Sequence, residues 1–240
     1  MEICRPEGSI IIVFSPRATF TKKPEGEHTV DVKDRILEKA ADLFMRYGIK
    51  SITMDEIATS LGISKKTIYQ FFTDKDELVS AVIEQEIGKN EAECVQFRDD
   101  AADAVHEVFL AVEDLDELLH YTNPLVLYDL EKYHPKAFRR IKDFKYQFLH
   151  AAMMENLGRG IAEGVYRADI NKDIVAKSRI EASFLVFNPD IFPASKYSMS
   201  EVNFQLATLF LHGISTDKGK QLIEQYTNER NKKLSHGPKV

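Results

Sequence analysis

The run from Val32 to Leu78, VKDRILEKAADLFMRYGIKSITMDEIATSLGISKKTIYQFFTDKDEL, decides the reading of the whole chain. Ile36, Ala40, Leu43, Phe44 and Tyr47 recur at helical spacing and give a first helix one apolar face. Gly48 follows at the place where a helix needs a left-handed residue to stop. Met54, Ile57, Ala58 and Leu61 repeat the i, i+3, i+4, i+7 spacing over a short second helix. Thr53 stands before it as N-cap, with Glu56 three residues on to close a capping box. Gly62 permits a tight turn, and Ser64 is placed to cap a third helix from about Lys65 to Phe72. Two short helices joined by a glycine-bearing turn, the second capped by Ser, form the helix-turn-helix pattern.

The third helix carries its chemistry on one side. Lys65, Lys66, Thr67, Tyr69 and Gln70 supply donors, or donor and acceptor at once, and no acidic residue occurs before Asp74. Ile63, Ile68 and Phe72 supply its core-facing side. Such an asymmetry suits a recognition helix, whose N-terminal residues reach base edges while flanking donors hold phosphates.

The runs Thr53–Ala58, Leu61–Phe72 and Asp74–Leu78 together resemble the DNA-binding head of TetR-family transcriptional regulators in both spacing and residue type. That resemblance implies that Thr53, Ser64, Lys65, Lys66, Thr67, Tyr69 and Lys75 face DNA, with Tyr69 and Lys75 on phosphates. Phe71 stands where family members often carry His or another polar aromatic. It also implies an all-α chain: a three-helix helix-turn-helix domain followed by a helical-bundle regulatory and dimerisation domain.

Composition bounds the alternatives. The 240 residues are 44% hydrophobic and 29% charged, which allows a sizeable core in an ordinary soluble chain. The formal net charge of −6 argues against a generally basic nucleic-acid coat but leaves room for one local basic helix. Much of the acidic excess lies downstream, as in Glu113–Asp114–Asp116–Glu117, which reads as a solvated face. The two cysteines, Cys4 and Cys94, have no metal-type neighbours, so a disulfide framework is not expected and a reducing cytoplasm fits. No apolar run is long enough to span a membrane.

Along the chain, residues 1–30 read as a mostly disordered extension, with Arg17, Lys22 and Lys23 as its basic positions. Residues 31–76 form the expected head, 77–231 the ligand-binding and dimerisation part, and 232–240 a frayed tail. The fourth helix begins behind Asp74. The spacing then predicts helices over Ala101–His120, Leu125–Lys132, about Pro135–Glu163, Asp173–Phe187, Ser200–Gly213 and Asp217–Asn231. Pro189 and Pro193 interrupt the last pairs.

By the same resemblance, a small apolar or aromatic effector is expected among the helices between about 100 and 190. Phe109, Tyr121, Tyr128, Phe144, Phe148 and Phe184 are its candidate lining. The last major helices would form a four-helix homodimer interface, with Ile180, Phe184, Leu185, Leu206, Leu209, Phe210 and Ile214 as candidates. Other chemistry finds little footing. Gly158-Arg-Gly160-Ile-Ala-Glu-Gly164 has its third glycine one position late for a dinucleotide loop, and no strand precedes it. No catalytic triad, phosphate loop, metal motif or cofactor motif occurs. The expectation is therefore a ligand-responsive repressor that binds a near-palindromic double-stranded DNA operator as a dimer. A helical protein-binding adaptor and a ligand-free activator are the alternatives.

Overall fold

A computed structural model describes residues 32–236, so the expected extension over residues 1–30 and the last four residues of the expected tail lie outside the described residues. Among the described residues there is no strand; an isolated antiparallel bridge pairs Tyr166 with Ser215. The head is α1 (Val32–Tyr47), α2 (Met54–Leu61) and α3 (Lys65–Tyr69). The long α4 (Lys75–Asp100) leads into α5 (Ala104–Leu119), α6 (Val126–Tyr133) and α7 (Pro135–Asp143). A π-helical stretch, Phe144–Leu149, joins α7 directly to α8 (His150–Ala162). Then come α9 (Lys172–Leu185), α10 (Met199–Ile214) and α11 (Asp217–His236).

The local signals act as their chemistry requires. Thr53 accepts from the Glu56 backbone N–H while Glu56 accepts from that of Thr53, so two orphan donors of α2 are satisfied reciprocally. Gly48 and Gly62 both adopt left-handed backbone, at φ 83° and 66°. Ser64 Oγ accepts from Thr67 N at 3.1 Å and starts α3. That helix stops at Tyr69 rather than near Phe72, because Phe71 and Phe72 both turn their N–H groups to the Ile68 carbonyl. On α1 the buried face is Ile36, Leu37, Ala40, Phe44 and Met45; Tyr47, expected on it, is exposed.

One hydrophobic core joins the head to the body. Ile36, Phe44, Ile57 and Ile68 pack into the same cluster as Leu78, Val79, Val82 and Ile83 of α4. That cluster continues to Leu115 of α5, Leu130 of α6 and Ile141 of α7. A second cluster holds the other end of the body, where Val105 and Phe109 of α5 meet Leu157 of α8, Leu211 of α10 and Tyr226 of α11. Gly160 is required there: a Cβ on it would lie 2.0 Å from the Tyr166 ring. The glycine-rich phrase around Gly158–Gly164 thus serves a close packing contact.

Several sequence expectations are corrected. The single helix expected over Ala101–His120 is α5, but it starts at Ala104, because α4 runs on to Asp100 and the Asp103 carboxylate caps α5 by accepting from the Val105 and His106 N–H groups. The Pro135–Glu163 rod is interrupted by its π stretch, and its buried apolar positions step by four and three through Ala137, Ile141 and Phe144, then by five to Leu149, with the buried Lys145 between. Phe148, expected inside, is half-buried. The acidic run of α5 is no free solvated face: Asp116 is buried and paired with Arg230, and Glu113 pairs with Lys233 at 2.9 Å. Those two contacts and Ser235 Oγ on the Lys232 carbonyl accompany α11 past Asn231 to His236, where fraying was expected.

Candidate nucleic-acid interface and cavity

The head brings most of the candidate DNA-facing residues onto one surface. Ile68 is fully buried, which fixes α3 against the core, while Lys65, Lys66, Tyr69 and Gln70 are exposed. Lys65 Nζ lies 2.7 Å from Asp55 Oδ2, so the start of α2 and the start of α3 are side by side. That hydrogen bond raises the Lys65 pKa above the usual lysine value. Lys66 makes no ion pair among the described residues. Ser64 and Thr67 share a hydroxyl–hydroxyl hydrogen bond of 2.8 Å beside them. Thr53 is exposed at the same end, its hydroxyl held by Glu56 at 2.8 Å. The two hydrogen bonds from Thr53 hold the Glu56 carboxyl below the ordinary range.

Lys75 is placed differently. Its ammonium donates to the Ile49 carbonyl at 2.6 Å and sits 5.9 Å from the Phe44 ring centroid. Desolvation lowers its pKa, with Asp129 and Asp76 working against that shift. Here Lys75 ties the start of α4 to the α1–α2 turn, so a phosphate contact from it requires giving up the Ile49 carbonyl.

Sequence reasoning missed the latch between head and body. Lys50 N–H donates to the buried Asp129 carboxylate of α6 at 2.8 Å, and Asn123 N–H donates to the Met45 carbonyl at 2.6 Å. Lys50 Nζ also lies 5.1 Å from the Tyr133 ring centroid. Farther along, His134 meets Asp76 at 2.5 Å, and Arg140 grips Glu84 through two bonds of 2.8 Å. These contacts join residues 56 or more positions apart, which local pattern reading does not reach.

A partly open cavity lies between α4, α5, α8 and α9, where about 800 Å³ of space free of protein atoms runs out into open solvent. Cys94 and Phe97 line it from α4, Val108, Ala111 and Leu115 from α5, Leu149 and Met153 from the rod, and Ile180 from α9. None of the six aromatic residues expected to line a pocket is among its walls. Phe109 is buried against Phe204 and Tyr226 in the second core. Phe144 and Phe148 stack on each other at 5.1 Å, and Phe184 carries the Lys145 ammonium 4.5 Å from its ring centroid. Tyr121 and Tyr128 are exposed. Polar groups at the wall are Arg98, Glu107, Glu155, Asn156, Arg179 and Ser183. Burial raises the Glu107 carboxyl, Arg159 partly opposing it from 3.4 Å. Arg159 also donates to the Arg98 and Ala101 carbonyls, closing the C-terminal end of α4 beside the cavity.

The sequence profile described as "Bacterial regulatory proteins, tetR family" matches residues 36–82, which are α1 to α3 and the first turns of α4. By that match the head of this chain, residues 36–82, is the DNA-binding domain of tetR-family regulatory proteins. It is 26% identical over 185 residues to the uncharacterized HTH-type transcriptional regulator YvaF of Bacillus subtilis, covering 77% of this chain and 96% of that one. It is 24% identical over 196 residues to the HTH-type transcriptional repressor KstR2 of Mycolicibacterium smegmatis, covering 78% of this chain and 92% of that one. A putative transcriptional regulator from Saccharomonospora viridis, solved in complex with choline, shares the fold. Its TM-score is 0.64 at 20% identity, over 77% of this chain and 97% of that one. The chain is accordingly an all-α DNA-binding regulator and not an enzyme. Among the described residues no helix is long and apolar enough to cross a membrane, and no cluster of three or more metal-capable ligands occurs.

Of the candidate dimer residues, Ile180 and Ile214 are buried within the protomer, and Ile180 faces the cavity. Phe184, Leu185, Leu206 and Phe210 are half-buried, and Leu209 is 71% exposed.

Proposed function

We propose that this TetR-family regulator is a dimeric, ligand-responsive repressor acting in the cytoplasm. Residues 31–76 are the DNA-binding head and 77–231 the ligand-binding and dimerisation body. Two copies of α3 enter successive major grooves of a near-palindromic operator, with half-sites about 34–36 Å apart. Lys65, Lys66, Thr67, Tyr69 and Gln70 make the contacts, with Thr53 and Ser64 at the edge. The half-buried apolar residues of α9 and α10, with Leu209 outermost, are the surface on which the two protomers meet.

One observation carries the ligand-responsive part. The first half of α4 is packed into the head's core, and its far end supplies Cys94, Phe97 and Arg98 to the cavity wall. Whatever fills the cavity therefore pushes on the helix that carries the head. A ligand changes operator affinity only if it binds the two head spacings with different affinity, and coupling of about 1–3 kcal/mol is typical. The repressor name of KstR2 and the small molecule bound to the S. viridis protein agree with this reading.

The test is binding of the purified protein to DNA flanking its own coding region, at two salt concentrations, beside the Lys65→Ala, Lys66→Ala double variant. Wild type is expected to bind saturably and to weaken with salt. The variant is expected to lose affinity and to show a shallower salt slope, by about 0.9 for each phosphate contact removed. Equal behaviour of both proteins on a random-sequence selection library would favour the protein-binding adaptor.

A further inference from the structure

The charged groups at the cavity wall are paired, with one exception. Arg98 meets Asp99 at 3.0 Å and Glu155 at 3.6 Å, and Glu107 meets Arg159 at 3.4 Å. Arg179 of α9 is 92% buried by contrast with only 8% of its surface exposed, and its Nη1 is enclosed without a hydrogen-bond partner. Among the described residues it forms no ion pair, and the Phe210 ring centroid lies 5.7 Å from its guanidinium carbon. Burial pushes its pKa down to about 10, which still leaves it charged at neutral pH. An enclosed, unpaired cation is among the most unfavourable arrangements a protein holds, and a counter-ion relieves it.

The rest of the wall limits what that counter-ion can be. Phe97, Val108, Leu115, Leu149, Met153 and Ile180 ask for an apolar body. One unpaired guanidinium matches one negative charge, and a carboxylate fits its planar fork through two parallel hydrogen bonds. Glu107 and Glu155, at the same wall, oppose any second negative charge. A phosphate or diphosphate is disfavoured on that ground.

We propose that the effector of this cavity is a small amphiphilic monoanion, an alkyl or alicyclic body ending in one carboxylate that pairs with Arg179. This rests on the ligand-responsive reading and adds the ligand's charge to it. The apolar character expected of the ligand belongs, in this proposal, to its body, and the carboxylate adds a charged head. Pairing at Arg179 compensates the buried charge on α9, while the apolar body reaches the α4 end of the cavity at Cys94 and Phe97.

The experiment is calorimetric titration of the full-length protein with decanoate, 4-cyclohexylbutyrate, decanol and decylamine. It is run on wild type, Arg179→Met and Arg179→Lys. At least one carboxylate is expected to bind saturably, at least tenfold more tightly than decanol, with decylamine weaker still. Arg179→Met should lose at least tenfold for the carboxylate and nothing for decanol, and Arg179→Lys should recover part of the loss. Without ligand, Arg179→Met should melt no lower than wild type, because it removes an unpaired charge. Any of four results overturns the proposal: neither carboxylate binds, decanol or decylamine binds as tightly, Arg179→Met leaves carboxylate affinity unchanged, or that variant melts lower and marks Arg179 as structural. Operator affinity is read separately. A carboxylate that binds through Arg179 yet leaves operator affinity unchanged removes the ligand-responsive reading and keeps the anion site.

Discussion

At the tip of the head, Lys65 sits in solvent 2.7 Å from Asp55, whereas inside the body Arg179 is enclosed with no carboxylate in reach among the described residues. The exposed pair contributes little to stability, since water screens it and either partner can leave at small cost. The buried guanidinium is costly in the ligand-free protein, and the cost falls only when something negative arrives. A surface meant for a polyanion can keep its cations ready without strain, because the solvent holds them. A pocket meant for a small molecule has to hold its recognition group where water does not compensate it. The two regions are also built over different distances. The head's caps and turns lie within four residues of their partners, while the cavity draws its wall from helices as far apart in sequence as α4 and α9.

The sharpest way to break that contrast is through the core that joins the two regions. Phe44→Ala is expected to cost about 3–5 kcal/mol, as for a fully packed aromatic residue. Because the head and α4 share one cluster, the loss should appear as a single earlier unfolding transition followed by circular dichroism. A two-step melt, with the head lost first and the body intact, would show the head to be a separate unit. A smaller effect is expected at the latch. Asp129→Ala removes the acceptor for the Lys50 N–H and should cost about 1–3 kcal/mol. Amide exchange at Lys50 should accelerate, and a stability change without that local opening would place the effect elsewhere. Thr53→Ala removes a local cap and should cost about 1 kcal/mol in urea denaturation.

The smallest effect concerns the cavity acid. The folded-state pKa of Glu107 is raised above its usual 4.5 by burial. Below that value the carboxyl is protonated in both states, and its contribution is fully present. As pH rises past it, the unfolded chain releases the proton first, so stability falls until the folded-state pKa is passed. Glu107→Gln should therefore flatten the decline of the urea midpoint as the pH rises above about 4.5. An unchanged slope in that variant would mean that Glu107 is well solvated.

Much of the head was legible because its information is local. Thr53 with Glu56, Ser64 before Lys65, and the glycines at 48 and 62 each state a cap or a turn within a few residues. The single lysine that behaved otherwise, Lys75, did so because its partner, the Ile49 carbonyl, is 26 positions away. The cavity was less legible. Apolar spacing alone does not separate a residue that packs from one that borders empty space, so Phe109 and Phe144 looked like wall and proved to be core. The available signal was of another kind. Arg179 falls on the buried stripe of α9 with Ala176 and Ile180, and a charge inside an apolar stripe is the residue to ask about. The latch of Lys50 and Asp129 left no comparable mark in the sequence.

The π-helical stretch at Phe144–Leu149 bears on how this chain can change length over generations. Its wide turn accommodates one residue more than a regular helix needs between the buried Phe144 and the buried Leu149. Losing a residue inside it would restore the ordinary spacing and leave Ala137 and Ile141 upstream, and Met153 and Leu157 downstream, on their present faces. The same loss at any other point of the rod would swing everything downstream by about 100°, taking Met153 off the cavity and Leu157 out of the second core. Related chains that differ by one residue in this rod should therefore differ there, and laboratory deletions should be tolerated there first.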